Sequence, residues 1–258
     1  MRVSRTIKRV ALRTGLYRPA RLLHRRLFTY ERLAFQAGLS LYGQFIRKGD
    51  LCFDIGANIG DKTEIFLALG ASVVSVEPQP ELAQEVKARG AHYGRNSIVV
   101  ERAIGEKEGT AALHLKEHSA WASLLSDWEG NNIGEIEVGV TTLDRLIKQY
   151  GVPEFIKIDV EGYELNILRG LSYRIPFITI EYHSDQRSIA ATRECISRLS
   201  SFGPVEINVI AENNHDLVLP CWLEGQEFLN QFPNCVAQHS VGDLLIKAKN
   251  YAASHVFK

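Results

Sequence analysis

From residue 51 onward the chain alternates short apolar runs with longer segments whose apolar positions recur at helical spacing. The runs near 51–55, 72–76, 97–100, 154–158 and 176–181 read as strands, and the intervening periodicity predicts helices at 61–69, 80–89, 142–149, 161–169 and 186–201. Such alternation gives a mostly parallel, doubly wound α/β sheet covered on both faces. Two later apolar runs, Val205–Ala211 and Val241–Ala248, flank an irregular stretch with Asn213, Asn214, Pro220, Trp222 and Pro233. They are expected to pair as a closing antiparallel hairpin. At the other end Val3, Ile7 and Val10 fall on one helical face, Leu22, Leu23, Leu27 and Phe28 form a second apolar cluster, and Pro19 separates them. Residues 1–48 therefore read as a helical N-terminal extension, and 49–250 as the α/β domain.

Composition agrees with this division. With 258 residues, 45% apolar and 23% charged, the chain is long enough for one α/β domain and extensions, and it is expected to be globular and soluble. No apolar run approaches the roughly 20 residues needed to span a bilayer. Arginines interrupt the N-terminus where a signal peptide would need its apolar core, so a cytoplasmic location is the default expectation. The four cysteines, Cys52, Cys195, Cys221 and Cys235, show no CxxC spacing and read as buried free thiols. The zero net charge conceals an asymmetry: residues 1–32 hold ten Lys or Arg against Glu31 alone, about +9, which leaves about −9 for the remainder. A basic arm on an acidic body fits peripheral contact with an anionic membrane or nucleic acid, at on the order of 1 kcal/mol per basic residue. It equally fits a lid, a dimer contact or an extension packed on the body.

The first chemistry lies in Phe53-Asp54-Ile55-Gly56-Ala57-Asn58-Ile59-Gly60. A strand running into a turn with two glycines and then a helix can bring a ligand against bare backbone amides at a helix N-terminus. Counting from Gly56, the third and sixth positions hold Asn58 and Asp61, so the dinucleotide fingerprint fails. An acid entering the turn suits a cationic or zwitterionic ligand better than a pyrophosphate. Glu77, which ends the next apolar run, is placed to hold a ribose. A second constellation follows Thr141-Thr142-Leu143-Asp144: the strand Phe155-Ile156-Lys157-Ile158 delivers Asp159 and Glu161 at its carboxyl end, where open α/β sheets bind ligands. Lys157 can offset one of these acids, either acid alone can cap the following helix, and Asp144 reads as a first-turn acid.

These segments, with Val76-Glu77-Pro78, Ala103-Ile104-Gly105, Gly109-Thr110 and Leu168-Arg169-Gly170, resemble the ordered motifs of the FkbM-type methyltransferase family over roughly residues 50–185. The resemblance implies a Rossmann-like, class I methyltransferase sheet and S-adenosyl-L-methionine as cofactor. It carries over cofactor contacts to Asp54, Gly56, Ala57, Asn58, Gly60, Glu77, Pro78, Ala103, Ile104, Ser123 and Asp159. Asp54 would lie near the methionine end, Gly56 would permit close approach, and Glu77 would accept from the ribose hydroxyls. The family acts mostly on hydroxyls of sugars, polyketides or lipid-linked products, so a small-molecule hydroxyl acceptor is expected. Its choice is assigned to the uncovered chain ends and to the loop His118-Ser119-Ala120-Trp121-Ala122-Ser123-Leu124-Leu125-Ser126-Asp127-Trp128. Trp121 and Trp128 stand seven apart, which fits a helix packed on the body or aromatic walls for an acceptor.

Methyl transfer to oxygen is an in-line displacement that needs alignment and a proton acceptor. Asp159, Glu161 and His183 are the catalytic candidates, with Glu181 either orienting His183 or pairing with Lys157. Asp159, Glu161 and Asp185 are oxygen ligands of the kind magnesium prefers, but nothing fixes their spacing and no metal is assigned. Two other classes remain. A nucleic-acid methyltransferase would use the basic arm, although no Asn-Pro-Pro-Tyr or Asp-Pro-Pro-Tyr segment occurs. A non-catalytic binding module would keep the fold; the intact Asp54, Gly56, Glu77 and Asp159 count against it.

Overall fold

The computed structural model describes residues 29–211 and 216–251. Both short amphipathic helices expected before residue 29, and with them most of the basic arm, lie outside the described residues. Helix α1 (Thr29–Tyr42) precedes β1 (Leu51–Ile55), α2 (Asp61–Ala68), β2 (Ser72–Val76), α3 (Pro80–Gly90) and β3 (Ser97–Val100). Next come β4 (Ala103–Ile104), β5 (Gly109–Lys116), β6 (Asn132–Thr141), α4 (Leu143–Tyr150), β7 (Phe155–Ile158), α5 (Glu164–Arg169), β8 (Phe177–His183) and α6 (Gln186–Ser200). The chain closes with β9 (Val205–Ala211), β10 (Leu223–Glu224), α7 (Gly225–Gln238) and β11 (Val241–Ala248).

Eight strands form the main sheet in the order β10-β9-β11-β8-β7-β1-β2-β3. The five strands from β8 to β3 are parallel, as the buried apolar runs predict, and β11 enters antiparallel between β8 and β9. Alternation along each strand decides which face a side chain serves. Phe53, Val74, Ile156, Leu244 and Ile246 join α4, α5, α6 and α7 in one core. Cys52, Val73, Phe155 and Leu245 join α1 and α2 in the other, where Tyr42, Phe66 and Phe155 meet edge to face. Helix α1 and the turn after it thus deliver Leu41, Tyr42 and Ile46 to a buried layer.

Three features depart from the sequence reading. Val205–Ala211 and Val241–Ala248 do pair antiparallel, but β10 and the helix α7 stand between them, so they are not a tight hairpin. Pro233 inside α7 hid that helix: proline removes a backbone donor, yet buried Phe228 and Phe232 hold the segment against the core. Between β3 and α4 a three-stranded sheet, β4-β6-β5, builds its own core from Ala103, Leu113, Val138 and Val140. Cys52 and Cys195 are buried free thiols as expected; Cys221 is exposed, because it lies on the surface turn leading into β10.

Candidate active site

At the carboxyl ends of β1, β2 and β7 a cleft of about 270 Å³ opens between the main sheet, the small sheet and the loop before β6. The turn after β1 is positioned by sterics. Gly56 adopts φ 76°, and a Cβ there would stand 1.8 Å from the Asp159 carbonyl oxygen. The close approach that requires this glycine is therefore that of the β7 turn, where the sequence suggested the cofactor. The amides of Gly56 and Ala57 donate to Val76, that of Asn58 to the Glu77 carboxylate, and that of Gly60 to Ala57. Four amides of the turn itself are thus engaged, while the helix that follows carries no side-chain cap at Gly60. The work of the turn is to seat Glu77.

Glu77 is buried at the end of β2, and its two oxygens accept from the Asn58 and Gln79 amides at 2.8 and 2.9 Å. Burial pushes its pKa up to about 7, although both amides favour the charged form. The Gln79 side chain also donates to this carboxylate, which still has lone-pair capacity to spare, and Glu77 lines the cleft beside Asn58, Pro78 and Gln79. Asp54, by contrast, lies beneath the turn: Thr63 donates to it at 2.5 Å, Thr63 also meets Ser75, and burial raises its pKa.

The opposite wall is acidic. Lys157 is buried and reaches Asp159 at 2.6 Å and Asp243 at 4.0 Å. Burial works against its charge, but the two carboxylates outweigh it and hold the ammonium well above its usual range. Burial likewise opposes the charge of Asp159, yet Lys157 and a hydrogen bond from the Glu181 carboxyl keep its pKa below the ordinary value. Glu161 is pushed up to about 8 by burial and then by Asp159. For Glu181, burial followed by Asp159 and Glu161 raises the carboxyl well above its normal range. Glu164, not Asp159 or Glu161, closes the turn before α5, accepting from the Val160 and Gly162 amides at 3.1 and 3.3 Å.

A loop ties this wall to the small sheet. Ser123 donates to the Glu161 carbonyl at 2.8 Å, and the Trp128 indole N–H donates to Glu161 Oε2 at 2.9 Å. Buried Lys116 donates to the Trp128 and Gly130 carbonyls at 2.6 and 3.2 Å, which clamps the loop from below. The helix considered for Trp121–Trp128 does not form. A single 3-10 turn, Ser119–Trp121, is followed by loop, because each ring has a separate partner: Trp121 faces His118 and the cleft, whereas Trp128 meets Glu161 and the edge of His183. Glu161 is held at φ 58° and Asn58 at φ 50°, left-handed conformations that cost non-glycine residues on the order of 1 kcal/mol each. Both residues face the cleft.

Of the residues expected to serve here, Gly56, Asn58, Glu77, Pro78, Ala103, Ile104, Ser123, Asp159 and Glu161 line the cleft together. Asp54, Ala57 and Gly60 support the turn from outside it. His183 lies in an adjoining recess with Glu181, 3.2 Å from its Oε2. Asp185 caps α6 through the Arg187 and Ser188 amides, and the His and carboxylate cluster found among the described residues is Glu161, Glu181 and His183 without it. Sequence reasoning missed Gln79, Arg102 and Tyr163, which also line the cleft, and the role of Trp128. The proximity of Gln79 to Glu77 was the available signal for the first.

A mostly parallel sheet in this strand order, closed by antiparallel strands, with an acid closing β2 over the β1 turn and carboxylates beyond β7, is the class I methyltransferase fold. More narrowly, the chain belongs to the FkbM methyltransferase family, matching the methyltransferase FkbM domain over residues 54–205. It is 24% identical over 140 residues to the hexuronic acid methyltransferase of Haloferax volcanii, which covers 52% of this chain and 56% of that protein. The chain thus spans about half the length of the curated relative it matches. Among solved structures, precorrin-6Y C5,15-methyltransferase of Geobacter metallireducens is similar at 11% identity and TM-score 0.44, covering 82% of this chain and 84% of that one. Magnesium protoporphyrin IX methyltransferase of Synechocystis, solved with S-adenosylmethionine, is similar at 8% identity and TM-score 0.43, covering 84% and 79%. No helix among the described residues is long and apolar enough to cross a membrane.

Proposed function

We propose that this chain transfers a methyl group from S-adenosyl-L-methionine to a hydroxyl of a sugar or of a sugar- or lipid-linked small molecule. The observation that carries this reading is the two-ended cleft: a backbone-fixed Glu77 at one end, and the Asp159 and Glu161 side chains at the other. Membership of the FkbM family supports the reaction class, and the hexuronic acid relative supports a sugar acceptor. S-adenosylmethionine supplies an electrophilic methyl group. Glu77 fits its ribose, because both carboxylate oxygens are aimed by amides while further lone pairs remain for hydroxyl donors. Ala103, Ile104 and Leu113 give the cleft an apolar wall suited to a base.

Of the three expected proton acceptors, Asp159 is the one held as a carboxylate at neutral pH, by its ion pair with Lys157. In this reading Asp159 takes the acceptor's proton, and Trp121 and Tyr163 flank the acceptor. Glu161 and His183 are set aside from that role, since one retains its proton up to about pH 8 and the other stands outside the cleft. Calorimetry tests the cofactor half: S-adenosylmethionine or S-adenosylhomocysteine is expected to bind once per chain, and Glu77→Ala to weaken it tenfold or more. A folded wild-type protein that binds neither would overturn the reading.

A further inference from the structure

Beyond the cleft wall, three side chains from two elements converge. Glu161 comes from the turn after β7, and Glu181 and His183 from one face of β8, where alternation puts residues two apart side by side. One ligand atom from each lies within 4.8 Å of the other two. His183 Nε2 and Glu181 Oε2 are 3.2 Å apart. Two ligands each about 2.1 Å from a shared ion stand about 3 Å apart, so this spacing matches a common centre.

Two independent features support the geometry. Trp128 donates its indole N–H to Glu161 Oε2 and presents its ring to the His183 imidazole at 5.1 Å between centroids, edge to face. One outer residue thereby orients two of the three groups, as the outer partners of metal ligands do. Charge is the other feature. Asp159, Glu161, Glu181 and Asp243 converge here on two ammonium groups, Lys157, which is shared between Asp159 and Asp243, and Lys62, so the acidic groups outnumber the cations.

We propose that Glu161, Glu181 and His183 form a site for one divalent first-row metal ion at the edge of the cleft. An imidazole with two carboxylates suits manganese or zinc better than magnesium, which prefers oxygen ligands alone. The set differs from the Asp159, Glu161 and Asp185 combination that the sequence suggested, because the Asp185 carboxylate is engaged in capping α6. The use of such an ion to polarise an acceptor hydroxyl rests on the methyl-transfer reading; its binding does not.

The test is titration of the metal-stripped full-length protein with Mn2+, following free Mn2+ by its paramagnetic resonance signal. One saturable site per chain is expected, lost in His183→Ala, weakened tenfold or more in Glu181→Gln, and weakened about tenfold in Trp128→Phe. Melting curves identify any variant that fails to fold, and the near-isosteric Glu181→Gln decides the matter if His183→Ala does. Absence of a one-per-chain site in wild type, or undiminished binding in Glu181→Gln, would overturn the proposal. S-adenosylmethionine calorimetry on the same samples separates the two readings: Mn2+ binding without cofactor binding keeps the metal site and removes methyl transfer. Cofactor binding without Mn2+ binding does the reverse.

Discussion

Glu77 is a carboxylate that burial discourages from ionising and two backbone amides encourage, with burial the larger effect. A ribose hydroxyl donating to it would favour the ionised form, so ligand binding should lower a pKa that stands at about 7 in the free protein. The sign follows from linkage: binding releases a proton, and affinity for S-adenosylmethionine should increase as pH rises from about 6 to 8. Calorimetry in buffers of different ionisation enthalpy measures that proton; no release near pH 7 would contradict the role given to Glu77. This residue was legible in the sequence from its place at a strand end. For Asp54 sequence shows that an acid enters the turn but not that Thr63, itself in contact with Ser75, hydrogen-bonds it beneath.

At the level of elements, the site exists because two strand-to-helix turns touch. Gly56 after β1 meets the backbone of Asp159 after β7, and Gly162 leaves room for Trp128, whose ring lies 2.2 Å from where a Cβ would be. Gly56→Ala should destabilise the protein by about 2–4 kcal/mol, since it combines a positive φ with a backbone clash that no rotamer relieves. Denaturant unfolding measures this, and a loss below about 1 kcal/mol would show that the turns are not locked together. The strands at 51–55 and 72–76 were readable because they are buried along most of their length and mainly apolar, and 97–100 because Ile98, Val99 and Val100 keep a short apolar run at the sheet edge. β5 and β6 escaped notice: in a small sheet with β6 at the centre and β5 at an edge, both are largely exposed over their first halves, and Gly134 and Gly139 interrupt β6, so the apolar signal is weak. In α7 a proline broke the local pattern that tertiary packing restores.

Across the whole molecule, the cleft assembles groups far apart in sequence: Ser123 meets Glu161, 38 residues on, and Asp159 meets Glu181 across neighbouring strands. Sequence supplied Lys157, Asp159 and Glu161 through the family motifs and Glu181 through its place at a strand end, but not their pairing. Whether Glu181 serves His183, Asp159 or Lys157 depends on strand order and register, which only the folded sheet decides. The same arrangement makes the central claim directly testable. The protein is incubated with methyl-labelled S-adenosylmethionine and a panel of neutral and uronic-acid saccharides, and the products are resolved by mass spectrometry. Label is predicted in a single methyl group on a sugar oxygen, with turnover falling at least a hundredfold in Asp159→Asn, on the scale of general-base loss. Cofactor binding with label found only on nucleic acid, or on no acceptor at all, would contradict it.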